Sequence, residues 1–225
     1  MDIHSLLKRL NINEKLFEKD AHGVIMKRNT KFQSGKIEGN QMSYYRDQLE
    51  AWLKQIKVDC DSVIDVGGGE QSVKTRVATF SCRRYKILDN DHLFKPDYFA
   101  DLNYMIDNIN EFDILFCLEV FEYIWNPVQA MENLVYFLKP GGIAYISFPT
   151  IYPLHNPPGI DYLRYTKNAV EKLLTVAGFK TWEITPRVAT TGLSYLSLFY
   201  NQESMHPMKN TNMIYDLGYM VKAIK

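Results

Sequence analysis

Ser62-Val63-Ile64-Asp65-Val66-Gly67-Gly68-Gly69-Glu70-Gln71 is the stretch whose reading decides the fold. Val63, Ile64 and Val66 form a short apolar, β-branched run, which suits a strand buried on both faces. Three glycines follow at once, so the backbone can turn sharply and a ligand can lie directly against it. Beyond them Val73, Val77 and Phe80 fall at helical spacing. The pattern predicts strand, glycine turn and helix in succession, the opening of a nucleotide-binding α/β unit.

Asp65 narrows the choice of nucleotide. A carboxylate two residues before the first glycine repels a pyrophosphate at the helix N-terminus and attracts an ammonium group. The stretch resembles motif I of the class I S-adenosylmethionine (SAM)-dependent methyltransferases, whose cofactor carries an ammonium, a sulfonium and no phosphate. A departure stands at Gln71, where that family often has another glycine. Asp65, and Ser72 in place of the last glycine of GxGxxG, speak against a nicotinamide enzyme.

Moving toward the C-terminus, Tyr85-Lys86-Ile87-Leu88 reads as the second strand. It ends at Asp89, 24 residues after Asp65, close to the spacing of roughly 20 expected for a ribose-binding acid. Asp91 is the alternative, and Asp89-Asn90-Asp91 is turn chemistry in either case. Phe112 to Val120 reads as the fourth strand. Phe121-Glu122-Tyr123-Ile124-Trp125 then resembles the family's Glu-His stretch, with Tyr123 in the histidine's place. Asn126 followed by Pro127 predicts a capped helix. Leu138-Lys139-Pro140-Gly141-Gly142 stops it before a fifth strand over 143–148, a strong resemblance to the same family.

After Phe148 comes a proline-rich loop carrying His155, Asp161, Tyr162 and Arg164. Thr166 is read as the N-cap of the next helix and Gly178 as its C-terminal stop. A sixth strand is expected over 179–185 and a last one over 219–224. The run from His155 to Phe179 resembles a bacterial methyltransferase subgroup with a His…Pro…Asp-Tyr…Arg-Tyr/Phe-Thr loop. Asn156-Pro157-Pro158-Gly159 mimics the Asn-Pro-Pro-aromatic motif of DNA amino-methyltransferases, but follows the fifth strand and ends in glycine. It is read as a rigid loop.

Toward the N-terminus, Tyr45, Leu49, Trp52, Leu53 and Ile56 form an apolar helical stripe, with Ser43 as cap. Tyr44 and Tyr45 stand between a core and a ligand role. Residues 1–42 are read as an extension, with Leu6, Leu7 and Leu10 on a short helix and a loop over 35–40, and 43–225 as the methyltransferase domain.

The 225 residues include 46% hydrophobic ones, enough for one α/β domain. Basic and acidic residues balance at 26 each, so nucleic acid is not the expected partner. No run reaches the roughly 18 apolar residues of a membrane helix. Cys60, Cys82 and Cys117 are scattered without CxxC spacing, as reduced cytosolic thiols are. A cytoplasmic protein without membrane or metal is expected; the oligomeric state is not readable.

The resemblance implies a Rossmann-like three-layer α/β sandwich, its seven-stranded sheet mostly parallel with an antiparallel last strand. It implies a SAM site, with S-adenosylhomocysteine as product, made from Asp65, Val66, Gly67, Gly68, Gly69, Gln71, Asp89, Asn90, Asp101, Leu102, Cys117 and Glu119. His155, Tyr162 and Arg164 are the candidate catalytic residues, with His155 as general base or as a structural loop histidine. Asp161 and Arg164 either wall the site or brace the helix after Thr166. The implied reaction moves a methyl group to an O or N atom of a small-molecule acceptor, a sugar or glycan precursor being one class. The other reading is a catalytically silent SAM-binding regulatory module.

Overall fold

The computed structural model describes residues 17–19, 25–27, 44–69, 71–107, 109, 111–152, 154–155, 160–188 and 216–225. The helix expected around Leu6, the loop over 35–40, the Ser43 cap and the Asn-Pro-Pro segment at 156–159 lie outside the described residues. The chain divides into two compact units, 1–42 and 43–225. In the first, β1 (Phe17–Lys19) and β2 (Ile25–Lys27) pair antiparallel. Strands of three residues are too short to register as a pattern, and the sequence reading did not anticipate them.

The second unit opens with α1 (Tyr44–Leu53), followed by β3 (Lys57–Val66), β4 (Thr79–Asp89), β5 (Tyr98–Phe99) and β6 (Phe112–Cys117). Then come α2 (Pro127–Phe137), β7 (Leu138–Pro149), α3 (Lys167–Ala177), β8 (Thr181–Val188) and β9 (Asp216–Ile224). The sheet order is β5-β4-β3-β6-β7-β9-β8. β9 runs antiparallel to both neighbours, and the other six strands share one direction. This is the expected sheet.

Alternation along β3 feeds two cores, one on each sheet face. Ile64 and Val66 point to the side of α2 and α3, among Leu115, Leu134, Ile146, Phe148, Val170 and Leu174. Val63 points to the side of α1, among Leu49, Leu53, Phe116, Tyr145 and Met220. Tyr45, Leu49 and Leu53 of the predicted stripe are buried. At roughly 1.5–3 kcal/mol for each fully buried apolar side chain, these two cores hold the layers together.

Three local expectations are corrected. The helix predicted after the glycines is absent, because β3 and β4 pair in parallel from Lys57↔Thr79 to Val66↔Leu88. Residues 67–78 must therefore run back along the whole of β3, about 30 Å at 3.3 Å per residue. Coiled as an α-helix, that segment would cover only about 18 Å. The described residues of that segment instead form turns and bends around one 3-10 turn at Val73–Thr75, and Phe80 lies in β4.

Secondly, Asn126 precedes Pro127 at the helix start but makes no side-chain cap; its Nδ2 donates to the Asn103 carbonyl. Thirdly, α2 ends directly in β7. The glycine pair sits inside that strand, where pairing jumps from Phe112↔Leu138 to Ile114↔Ile143 and Gly141 adopts φ 78°. Thr166 and Gly178 cap α3 as read: Thr166 accepts from the Ala169 N–H, and Gly178 is left-handed. No helix among the described residues is long and apolar enough to cross a membrane.

Candidate functional site

The strands β3, β4 and β6 end together, and the loops leaving them enclose a cavity of about 430 Å³. That is within the range of small-ligand sites, at the edge where open α/β sheets bind ligands. Of the residues singled out in the sequence, Val66, Gly67, Gln71, Asp89, Asn90, Asp101, Leu102, Glu119 and His155 line it. Asp65, Gly68, Gly69, Cys117, Tyr162 and Arg164 do not.

The glycines are required where they stand, for different reasons. Gly67 has φ 72°, and a Cβ there would come within 2.4 Å of Val120 Cγ2. A Cβ on Gly68 would strike the Asp65 carboxylate at 2.4 Å, and one on Gly69 would strike Phe94 at 2.6 Å. The turn is thus tucked against its own surroundings, and only Gly67 of the three lines the cavity.

Asp65 lies outside the cavity lining. It alternates onto the α1 side of the sheet with Val63, where the 3-10 turn covers it and leaves it almost fully buried. Its Oδ2 accepts from the Val73 N–H at 2.9 Å and from the Tyr85 hydroxyl. Burial pushes its carboxyl pKa up, against the hydrogen bonds from Tyr85 and Val73. Asp65 therefore ties the glycine loop to the sheet from beneath. Cys117 is likewise wholly buried, its thiol pKa pushed up by burial.

At one end of the cavity Asp89 accepts from the Gly69 N–H at 3.2 Å and the Asp91 N–H at 3.0 Å. Asp91, the alternative acid, is outside the lining and accepts from the Leu93 N–H at 2.8 Å. Asp101 accepts from the backbone and side-chain N–H groups of Asn103 at 2.9 and 2.8 Å. Asn103 Oδ1 in turn accepts from the N–H groups of Trp125 and Asn126 at 2.9 and 3.0 Å, joining the loops after β5 and β6. The sequence reading missed Asn103. A lone asparagine gives no signal until its partners some twenty residues on are known to be adjacent.

Arg46 of α1 and Arg76 also line the cavity, at the glycine turn. Both bind Glu50 Oε1 at 2.8 Å, and Arg46 also reaches Gln71. Burial pushes the Glu50 pKa up, but the two arginines outweigh it and hold the carboxylate low. Neither arginine was singled out, because each reads as an ordinary surface charge in the sequence.

Glu119 adopts φ 56°, unusual for a side chain of its kind. Its Oε1 accepts from Ser147 Oγ at 2.8 Å and from Arg187 Nη2 at 2.7 Å. Arg187, fully buried, also lies 4.1 Å over the Tyr45 ring, which places Tyr45 in the core. Burial works to raise the Glu119 pKa, yet the Arg187 charge wins and keeps it ionised. Nearby Glu122 is buried without an arginine of its own. Burial, then the Glu119 charge, lifts its pKa to about 7, and its Oε2 has no hydrogen-bond partner among the described residues.

His155 faces Tyr123 and Tyr152, with ring centroids 5.0 and 5.3 Å away. Its Nδ1 lies 2.9 Å from Asp161 Oδ1, and its backbone N–H donates to Asp161 Oδ2 at 2.7 Å. Arg164 Nη2 donates to Asp161 Oδ1 at 2.8 Å and Arg164 Nε to the Tyr152 carbonyl at 3.3 Å. Tyr162 is exposed, its N–H held by the Glu122 carbonyl at 2.7 Å. Of the three candidate catalytic residues, only His155 meets the cavity.

A family model described as a methyltransferase domain matches residues 99–146, from β5 into β7. A ubiquinone biosynthesis O-methyltransferase of Rickettsia bellii is 26% identical over 154 residues, covering 64% of this chain and 61% of that protein. The chain therefore spans about three-fifths of the length of the curated relatives it matches. A SAM-dependent methyltransferase from Mesorhizobium loti superposes with TM-score 0.53 at 14% identity, covering 83% of this chain and all of that one. The [4+2]-cyclase SpnF superposes with TM-score 0.51 at 16% identity and 80% coverage of each. These two likenesses establish the fold. In fold, motifs and sequence matches the chain is similar to the class I SAM-dependent methyltransferases, a family whose cofactor is SAM.

Proposed function

We propose that this chain transfers the methyl group of SAM to an oxygen or nitrogen atom of a small-molecule acceptor. The observation that carries this reading is one cavity lined by Asp89, Asp101, Glu119 and His155 together. The donor set fits the cofactor group by group. Asp89 would accept from the ribose hydroxyls and Asp101 from the adenine amino group, both with acceptor capacity beyond their internal bonds. Arg46 and Arg76 would meet the carboxylate, and Glu119, ionised at neutral pH, the ammonium. When bound, SAM supplies a methyl carbon on a sulfonium, already an excellent leaving group. The protein's part is then to align the acceptor and exclude water. A sugar or glycan precursor is the acceptor class suggested by the likeness of the His155 loop.

The reading as a silent SAM-binding module finds no support in a cavity whose lining includes a histidine. Calorimetry with SAM, S-adenosylhomocysteine and NAD tests the proposal, followed by S-adenosylhomocysteine release with a panel of acceptors. Micromolar SAM binding and acceptor-dependent release are expected. NAD binding without SAM binding would overturn it.

A further inference from the structure

We propose that Asp161 is a positioning residue that holds His155 in its Nδ1-protonated tautomer, leaving Nε2 to accept the proton of a hydroxyl-bearing acceptor. The inference rests on the methyl-transfer reading above and narrows its acceptor to a hydroxyl.

The geometry is specific. Both oxygens of one carboxylate serve one residue: Oδ1 meets the His155 ring at 2.9 Å and Oδ2 its backbone N–H at 2.7 Å. Ring and backbone are therefore fixed together. The Asp161 side chain is only 2% exposed, whereas that of His155 is 28% exposed and lines the cavity. Arg164 Nη2, on the same Oδ1 at 2.8 Å, balances the buried charge. Burial works to raise the Asp161 pKa, but the hydrogen bonds from His155 and Arg164 bring it down to about 2. At any ordinary pH the carboxylate can then only accept. Nδ1 must carry the proton, and the lone pair of the neutral ring sits on Nε2, which has no protein partner among the described residues.

A base in that position matters for some acceptors and not others. A neutral amine attacks with its own lone pair and can lose its proton afterwards. A hydroxyl oxygen is a weak nucleophile until its proton departs. As the acceptor oxygen bonds to the methyl carbon, its proton passes to Nε2 of His155, and the electron pair of the broken C–S bond stays on sulfur. Water takes the proton from the imidazolium afterwards. Such a base contributes on the order of 10²–10⁴ in rate.

The test combines a spectrum with kinetics, both on the full chain. Nitrogen-15 imidazole shifts report which ring nitrogen is protonated, and His155→Gln identifies the His155 signals by their loss. The parent should show the Nδ1–H tautomer at pH 8. Asp161→Asn, whose amide can donate to Nδ1, should move it toward Nε2–H. Using catechol, glucose and N-acetylglucosamine as probes, the same variant should lose about 10²–10⁴ in kcat with little change in KM or SAM affinity. His155→Gln should match it and leaves the Asp161–Arg164 pair intact, so it decides the question if Asp161→Asn fails to fold. An Nε2–H tautomer in the parent, or undiminished kcat in either folded variant, would overturn the inference. Methylation of glucosamine at nitrogen without turnover of catechol, glucose or N-acetylglucosamine would do so as well. Failure of the parent to bind SAM would instead sink the methyl-transfer reading, whatever the tautomer.

Discussion

In the turns that follow β4 and β5, Asp89 and Asp101 are each oriented by an N–H two residues further along the chain. Elsewhere in the cavity lining, Glu119 depends on an arginine 68 positions away, and His155 on a carboxylate held by a second side chain. The first arrangement is local, built where strands end in turns. The second is assembled by folding, from charges that are stable only in one another's company. Damage should accordingly differ: local acids should fail in binding alone, and assembled charges in stability as well.

The largest effect is expected at Arg187. Arg187→Met leaves Glu119 charged and poorly solvated, and breaking a buried pair costs about 3–5 kcal/mol, less here because Glu119 is partly exposed. Urea unfolding should show a loss of at least about 2 kcal/mol at pH 7. A change below about 0.5 kcal/mol would mean that the pair contributes nothing and that the contrast fails.

Glu122 gives a pH-dependent version of the same argument. Its carboxyl keeps a proton to about pH 7 in the fold, whereas the unfolded chain releases it near its ordinary value of 4.5. Burial therefore destabilises the fold increasingly between those two values, by up to roughly 3 kcal/mol above pH 7. Glu122→Gln should match the parent at pH 4 and exceed it in stability at pH 8. A gap that is constant with pH would show that the carboxyl is not the titrating group.

At the local acids the expected losses are smaller and confined to the ligand. Asp89→Ala removes a charged acceptor from the ribose, about 1.5–3 kcal/mol, or tenfold to a hundredfold in SAM affinity. Asp91→Ala removes only the bond to the Leu93 N–H, worth about 1 kcal/mol of local stability. Its SAM affinity should stay within about threefold of the parent. Calorimetry on the two variants sharpens the comparison, and a reversed order would move the ribose contact to Asp91.

Much of the fold was legible because its signals are short in range. β-branched runs, the glycine turn, the Thr166 cap and the Gly178 stop each depend on a few neighbouring residues. The missing helix was not legible, since Val73, Val77 and Phe80 satisfy helical spacing whether or not a helix can reach. Only the pairing of β3 with β4 sets the distance to be covered. Asp89, Asp101 and His155 were singled out in the sequence, and all three line the cavity. Asn103, Arg46, Arg76 and Arg187 were not, because an amide or guanidinium acquires meaning only from the partner folding brings to it.

By itself the sequence determined most of the strands and the place of the glycine turn, consequences of period and backbone freedom, and its family resemblance implied the class of sheet. Only the tertiary structure decided that Asp65 braces the turn from beneath, that Arg164 holds Asp161, and that Arg187 keeps Glu119 charged. The reason is physical. Backbone conformation is set by neighbours along the chain, whereas the state of a charge is set by whatever surrounds it in space.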